Sequence, residues 1–151
     1  MSSVKREYPD HPIVGVGAII IKGGEVLLAR RGKEPGYGKW SIPGGVVKLG
    51  ETLEGAVIRE VREEVNLAVR VEEMVEVLER IFRDPQGKVQ YHYVLVDFLC
   101  GHLSGEANPA SDALETQWVP ISKISRQPLP GRTKRVIQKA FEMRRKTPSD
   151  H

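Results

Sequence analysis

The segment Thr52–Asn66 carries two stripes that only one conformation reconciles. Leu53, Val57, Val61 and Val65 recur every fourth residue, while Glu60, Glu63 and Glu64 stand at i, i+3 and i+4. On a helix turning about 100° per residue, the first set forms an apolar edge and the second falls within an arc of roughly 100° beside it. Thr52 suits the N-cap, and Asn66 suits the stop because asparagine tolerates the left-handed conformation. The chain must therefore bury one side of this helix and gather three carboxylates next to the buried side. Like charges at this spacing cost about 0.2–0.5 kcal/mol per pair, and a hard divalent cation between the oxygens removes that cost. The residues point to a magnesium site, against the plainer reading of a solvated acidic face partnered by Arg59 and Arg62.

The flanking sequence supplies strands. Ile13–Ile21 and Glu25–Arg31 are separated by Lys22-Gly23-Gly24 and read as a hairpin. Glycine and proline recur from Gly32 to Gly50, which predicts a loop shaped by backbone. Val69–Phe82 and Lys88–Cys100 predict a long antiparallel hairpin turning at Asp84-Pro85-Gln86-Gly87. Gly101–Ala113 reads as a surface loop, Thr116–Val119 as a short strand and Gly131–Arg145 as an amphipathic closing helix.

With 151 residues and 40% hydrophobic content, the chain suits one domain spanning 1–151, with 1–12 a polar N-terminal extension. Its net charge of 23 − 20 = +3 is compatible with phosphate-bearing ligands and too small to imply nucleic acid. The basic residues Arg132, Lys134, Arg135, Lys139, Arg144, Arg145 and Lys146 read as a solvated helix face, because no aromatic stacking residues interleave with them. Cys100, the one cysteine, reads as a small buried hydrophobe. No run is apolar and long enough to span a bilayer. A cytoplasmic protein without membrane contact is expected.

The array from Gly45 to Leu67 (glycine, five residues, Glu51, seven residues, then Arg59-Glu60-Val61-Arg62-Glu63-Glu64-Val65-Asn66-Leu67) is similar to the Nudix box of the Nudix hydrolase superfamily. It departs once, with Asn66 in place of the family's glycine. Leu28–Arg31, Gly38–Gly45 and Trp118-Val119-Pro120 resemble flanking family segments. The resemblance implies an α/β fold, specifically an α/β/α sandwich with a mixed central sheet. It also implies hydrolysis of a nucleoside diphosphate linked to another moiety. Carried over position by position, Glu60 and Glu64 match metal ligands, Glu63 a third carboxylate acting directly or through water, and the Gly44 carbonyl a backbone ligand. Gly45, Glu51 and Arg59 match supporting positions, and Mg²⁺ is the implied cofactor, with Mn²⁺ able to substitute.

The family usually adds one acidic group from outside the box. Asp112 and Glu115 are the candidates here, Asp112 preferred because Glu115 is close enough to the last strand to be a surface residue. Arg30 and Arg31 alternate across a strand, so that one can reach substrate phosphate while the other meets solvent. General resemblance of the flanks points to ADP-ribose as substrate, with AMP and ribose 5-phosphate as products. The alternatives are a (d)NTP pyrophosphohydrolase clearing oxidised guanine nucleotides, and a Nudix module that senses a ligand without turnover. The expected partner is a small nucleotide, and a homodimer is compatible with the sequence.

Overall fold

Apolar side chains alternate along the first strand and yet both faces are filled, the pattern of a strand inside a two-sided sheet. In β1 (Ile13–Lys22), Val16, Ala18 and Ile20 pack on one side and Ile19 and Ile21 on the other. The structure is a computed structural model and describes residues 5–146. Residues 1–4 of the expected N-terminal extension and residues 147–151 at the end of the expected domain lie outside the described residues.

The strands following β1 are β2 (Glu25–Arg31), β3 (Trp40–Ser41), β4 (Gly44–Val46), β5 (Ala68–Arg83), β6 (Val89–Ser104) and β7 (Ala113–Pro120). They form one seven-stranded sheet ordered β3-β2-β1-β6-β5, with β4 also paired to β1 and β7 to β2. The β1–β6 pair is parallel, running from Ile13↔Tyr93 to Ile21↔Gly101, and the other pairs are antiparallel, so the sheet is mixed. Helix α1 (Leu53–Val65) covers one face through Ala56, Val57, Val61 and Val65. Helix α2 (Gly131–Lys146) covers the other through Val136, Ile137 and Ala140. This is the expected α/β/α sandwich. Two of the basic residues of α2 pair with acids of β5, Arg144 with Glu72 at 2.9 Å and Lys139 with Glu76 at 3.5 Å.

Several boundaries differ from the sequence reading. The stretch Gly32–Gly50 is not all loop, because β3 and β4 lie inside it. Strands of two and three residues leave no periodicity, and they exist only through backbone pairing to β2 and β1. The expected β1–β2 hairpin pairs only at Ile21↔Val26 and Lys22↔Glu25. Beyond that point β4 takes the vacated edge of β1, with Gly15↔Val46 and Gly17↔Gly44 in register. Strand β6 extends through Ser104 and β7 begins at Ala113, which shortens the expected loop from both ends. A short 3₁₀ helix, Ile121–Arg126, precedes α2. The splayed hairpin matters most, since it opens the sheet where the glycines enter.

Candidate active site

The local rules that make α1 also aim its acids. Thr52 Oγ1 accepts the Gly55 N–H at 3.0 Å, and Asn66 ends the helix in the left-handed region at φ 61°. With Val57, Val61 and Val65 locked against the sheet, Glu60 and Glu64 must turn toward β4. Glycine is required there at two consecutive positions. A Cβ on Gly45 would collide with the Glu60 carboxylate, and one on Gly44 with the Val16 carbonyl. The Gly44 N–H points at the Glu64 carboxyl, and the Glu60 and Glu64 carboxyls lie within hydrogen-bonding reach of each other.

Arg59 organises the outer part of the cluster. Its Nε and one terminal nitrogen donate to both oxygens of Glu51 at 2.7 and 2.9 Å. The same nitrogen also donates to the Val46 carbonyl at 2.9 Å, and the other donates to Glu60 at 2.9 Å and Glu63 at 3.2 Å. A planar guanidinium satisfies such a set where an ammonium cannot. Held by this fork and by the Lys48 N–H, the Glu51 carboxyl is lowered to about 2.

Glu64 has the opposite environment. Its carboxyl is pushed up, first by burial and then by the adjacent charge of Glu60, with the charge of Arg31 opposing the rise. Among the described residues, no three His, Cys, Asp or Glu side chains converge as a finished cage. Arg59 draws Glu60 and Glu63 aside, and Glu63 is half exposed. The donor set nevertheless fits a hard divalent cation. It is all oxygen, the two inner carboxyls repel, and the glycine backbone leaves space beside them.

A cavity of about 300 Å³ opens beside this cluster, with Glu64, Gly44, Gly45, Arg80 and Phe82 in its wall. Arg30 and Arg31 both line it. Arg31 donates to the Pro35 carbonyl at 2.7 Å, whereas Arg30 is tied to the Gly38 carbonyl at 3.0 Å and to Glu115 at 2.7 Å. Asp112 lines the cavity and forms an ion pair with Lys33. Glu115 is more exposed, holds Arg30 and is not part of the wall. Arg80 and Asp97 are among the lining side chains that the sequence reading missed. Asp97 left a signal: it is the acid interrupting the apolar run Tyr93–Cys100.

Comparison with known proteins agrees with this geometry. The NUDIX domain model matches residues 11–140. An ADP-ribose pyrophosphatase of Methanocaldococcus jannaschii is 35% identical over 114 residues, covering 76% of this chain and 65% of that protein. An oxidized purine nucleoside triphosphate hydrolase of Danio rerio is 34% identical over 114 residues, covering 70% and 65%. The chain thus spans just under two thirds of the length of each. The crystal structure of a MutT NUDIX hydrolase from Burkholderia pseudomallei superposes with a TM-score of 0.74 at 30% identity, covering 86% of this chain and 98% of that one. With the family's model covering most of its length and the box helix seated on a mixed sheet, the chain belongs to the Nudix family.

Proposed function

We propose that the protein is a magnesium-dependent pyrophosphatase that cleaves a nucleoside diphosphate linked to a second moiety, with ADP-ribose as its substrate. The observation that carries this reading is the pair Glu60 and Glu64, packed against Gly44–Gly45, with Glu64 and both glycines in the wall of a cavity that Arg30 and Arg31 also line. Glu60, Glu63, Glu64 and the Gly44 carbonyl are the proposed metal-holding groups. Magnesium or manganese bound there would neutralise the pyrophosphate and acidify the attacking water. Arg59 keeps Glu60 in place and is a positioning residue. Arg31, tethered by one guanidinium nitrogen, presents its remaining donors to phosphate, and Arg30 assists from beside Glu115. Asp112, already on the cavity wall, is the proposed proton acceptor, with Glu115 the alternative.

The relative from M. jannaschii supports ADP-ribose, and the one from D. rerio supports the second reading, a (d)NTP pyrophosphohydrolase. A magnesium-dependent hydrolysis screen over ADP-ribose, other nucleoside diphosphate sugars, dinucleoside polyphosphates and (d)NTPs separates them. ADP-ribose is expected to show the highest kcat/KM, with AMP as product. If 8-oxo-dGTP or another triphosphate is cleaved more than about tenfold faster, a gap of some 1.4 kcal/mol in transition-state binding, the second reading replaces the first. No helix of the described residues is long and apolar enough to cross a membrane. A cytoplasmic location is proposed, with Cys100 buried and free as a reducing compartment would keep it.

A further inference from the structure

Glu64 and Asp97 are the two charged side chains buried by the fold among the described residues, and the chemistry above uses only Glu64. Asp97 lies on β6 in a row that crosses four strands. It faces Gly17 of β1 on one side and Glu76 of β5 on the other, and Gly17 in turn faces Gly44 of β4. Strands in a sheet are about 4.8 Å apart, which sets the Asp97 backbone roughly 10 Å from Gly44. The carboxylate leans toward the glycines, since a Cβ on Gly17 would collide with Asp97 Oδ1. The fold thus keeps open the one position that lets this acid reach the cavity.

Asp97 is 7% exposed, and no described side chain forms a hydrogen bond or ion pair with it. Burial and the charge of Glu76 raise its carboxyl to about 6, against the weaker opposing charge of Arg132. A buried polar group without a partner costs free energy in any fold. Its oxygens are directed at space: Asp97 forms part of the wall of the main cavity and of a second one of about 80 Å³ beside Thr133.

We propose that Asp97 is a specificity-determining residue that accepts a hydrogen bond from an uncharged donor, a ribose hydroxyl or a base N–H, on the nucleoside part of the substrate. The inference rests on the nucleotide reading above. A carboxylate backed by Glu76 repels phosphate, while Arg30 and Arg31 of β2 attract it, so the cavity wall offers different surfaces to the phosphate and to the uncharged part of a nucleotide. A ligand lacking the donor leaves the carboxylate desolvated and unpaired, the arrangement that discriminates most strongly between near-identical ligands.

The test is calorimetric binding, without metal or turnover, of AMP, IMP, 2′-deoxy-AMP and 3′-deoxy-AMP to the wild-type protein and to Asp97→Asn. The wild type is expected to bind AMP at least about tenfold more tightly than one of the three analogues, which identifies the donor. Asp97→Asn is expected to weaken AMP by about tenfold and to bind that same analogue within twofold of wild type. Equal binding of all four ligands by the wild type, or no detectable binding of AMP at millimolar concentration, overturns the proposal without reference to the variant. A uniform loss across all four in Asp97→Asn also overturns it, by showing a structural role. The hydrolysis screen judges the ADP-ribose reading separately, so either idea can fail while the other stands.

Discussion

In the outer part of the cluster Glu51 accepts from Arg59 on both oxygens, while Glu64, in the cavity wall, meets another carboxyl and has only the Gly44 N–H and the charge of Arg31 to offset it. Two glutamates of one motif are thereby driven in opposite directions, the first toward permanent ionisation and the second toward holding its proton. The difference shows how the fold divides labour among like side chains. A built-in cation saturates the outer acids and fixes their geometry. The inner acid is left short of positive charge, a deficit that a bound divalent cation would satisfy.

The sharpest way to break this division is Glu64→Gln. It should lower kcat by at least about two orders of magnitude, since it removes a metal-bound charge while keeping the side chain's shape. Steady-state rates within threefold of wild type would sink the metal assignment. Among the acids outside the box, Asp112→Asn should reduce kcat about tenfold and Glu115→Gln less, as expected of a proton acceptor on the wall and an acid off it. If the paired measurement gives the reverse order, Glu115 takes the role. In the outer cluster, Arg59→Ala should destabilise the protein by about 2 kcal/mol in urea titrations by leaving Glu51 and Glu60 unpaired, with Arg59→Lys recovering only part. Unchanged stability in Arg59→Ala would show that the fork is ornamental.

The smallest effect concerns pH. Without metal, the raised Glu64 means that the native state holds a proton the unfolded chain has released, so stability falls as pH rises from about 4.5 toward 8. Glu51 acts with the opposite sign, contributing stability above about 4.5 that is lost as pH falls toward 2. Chemical unfolding at pH 5 and pH 8 should show the first slope, and Glu64→Gln should flatten it. A variant with the wild-type slope would place the buried proton elsewhere, Asp97 being the next candidate.

Much of the fold was legible because its signals are local. The limits of α1 follow from Thr52, the valine stripe and Asn66, and β2 from its apolar run ended by Arg30-Arg31. The unread parts depend on partners distant in sequence. Nothing in Trp40–Ser41 or Gly44–Val46 marks a strand until β1 and β2 splay to receive them. The candidate site divides in the same way. Glu60, Glu63 and Glu64 declare themselves by spacing along one helix. Asp97 shows in the sequence as an acid within an apolar run and gains a place in the site when the register sets it against Gly17, whereas Arg80 emerges only when its strand is seen to border the cavity.

The parallel pairing of β1 with β6 has a consequence for how the site comes into being. Ile13 and Tyr93 are 93 − 13 = 80 residues apart, so their contact requires closing a long loop, whereas the β5–β6 ribbon and α1 form from neighbours in sequence. Loop closure of this kind slows folding, because its entropy is lost before the contacts that offset it are made. The row from Gly44 through Gly17 to Asp97 straddles that seam. A chain in which helix and ribbon have formed while the seam is still open has its carboxylates spaced along one helix and no substrate pocket.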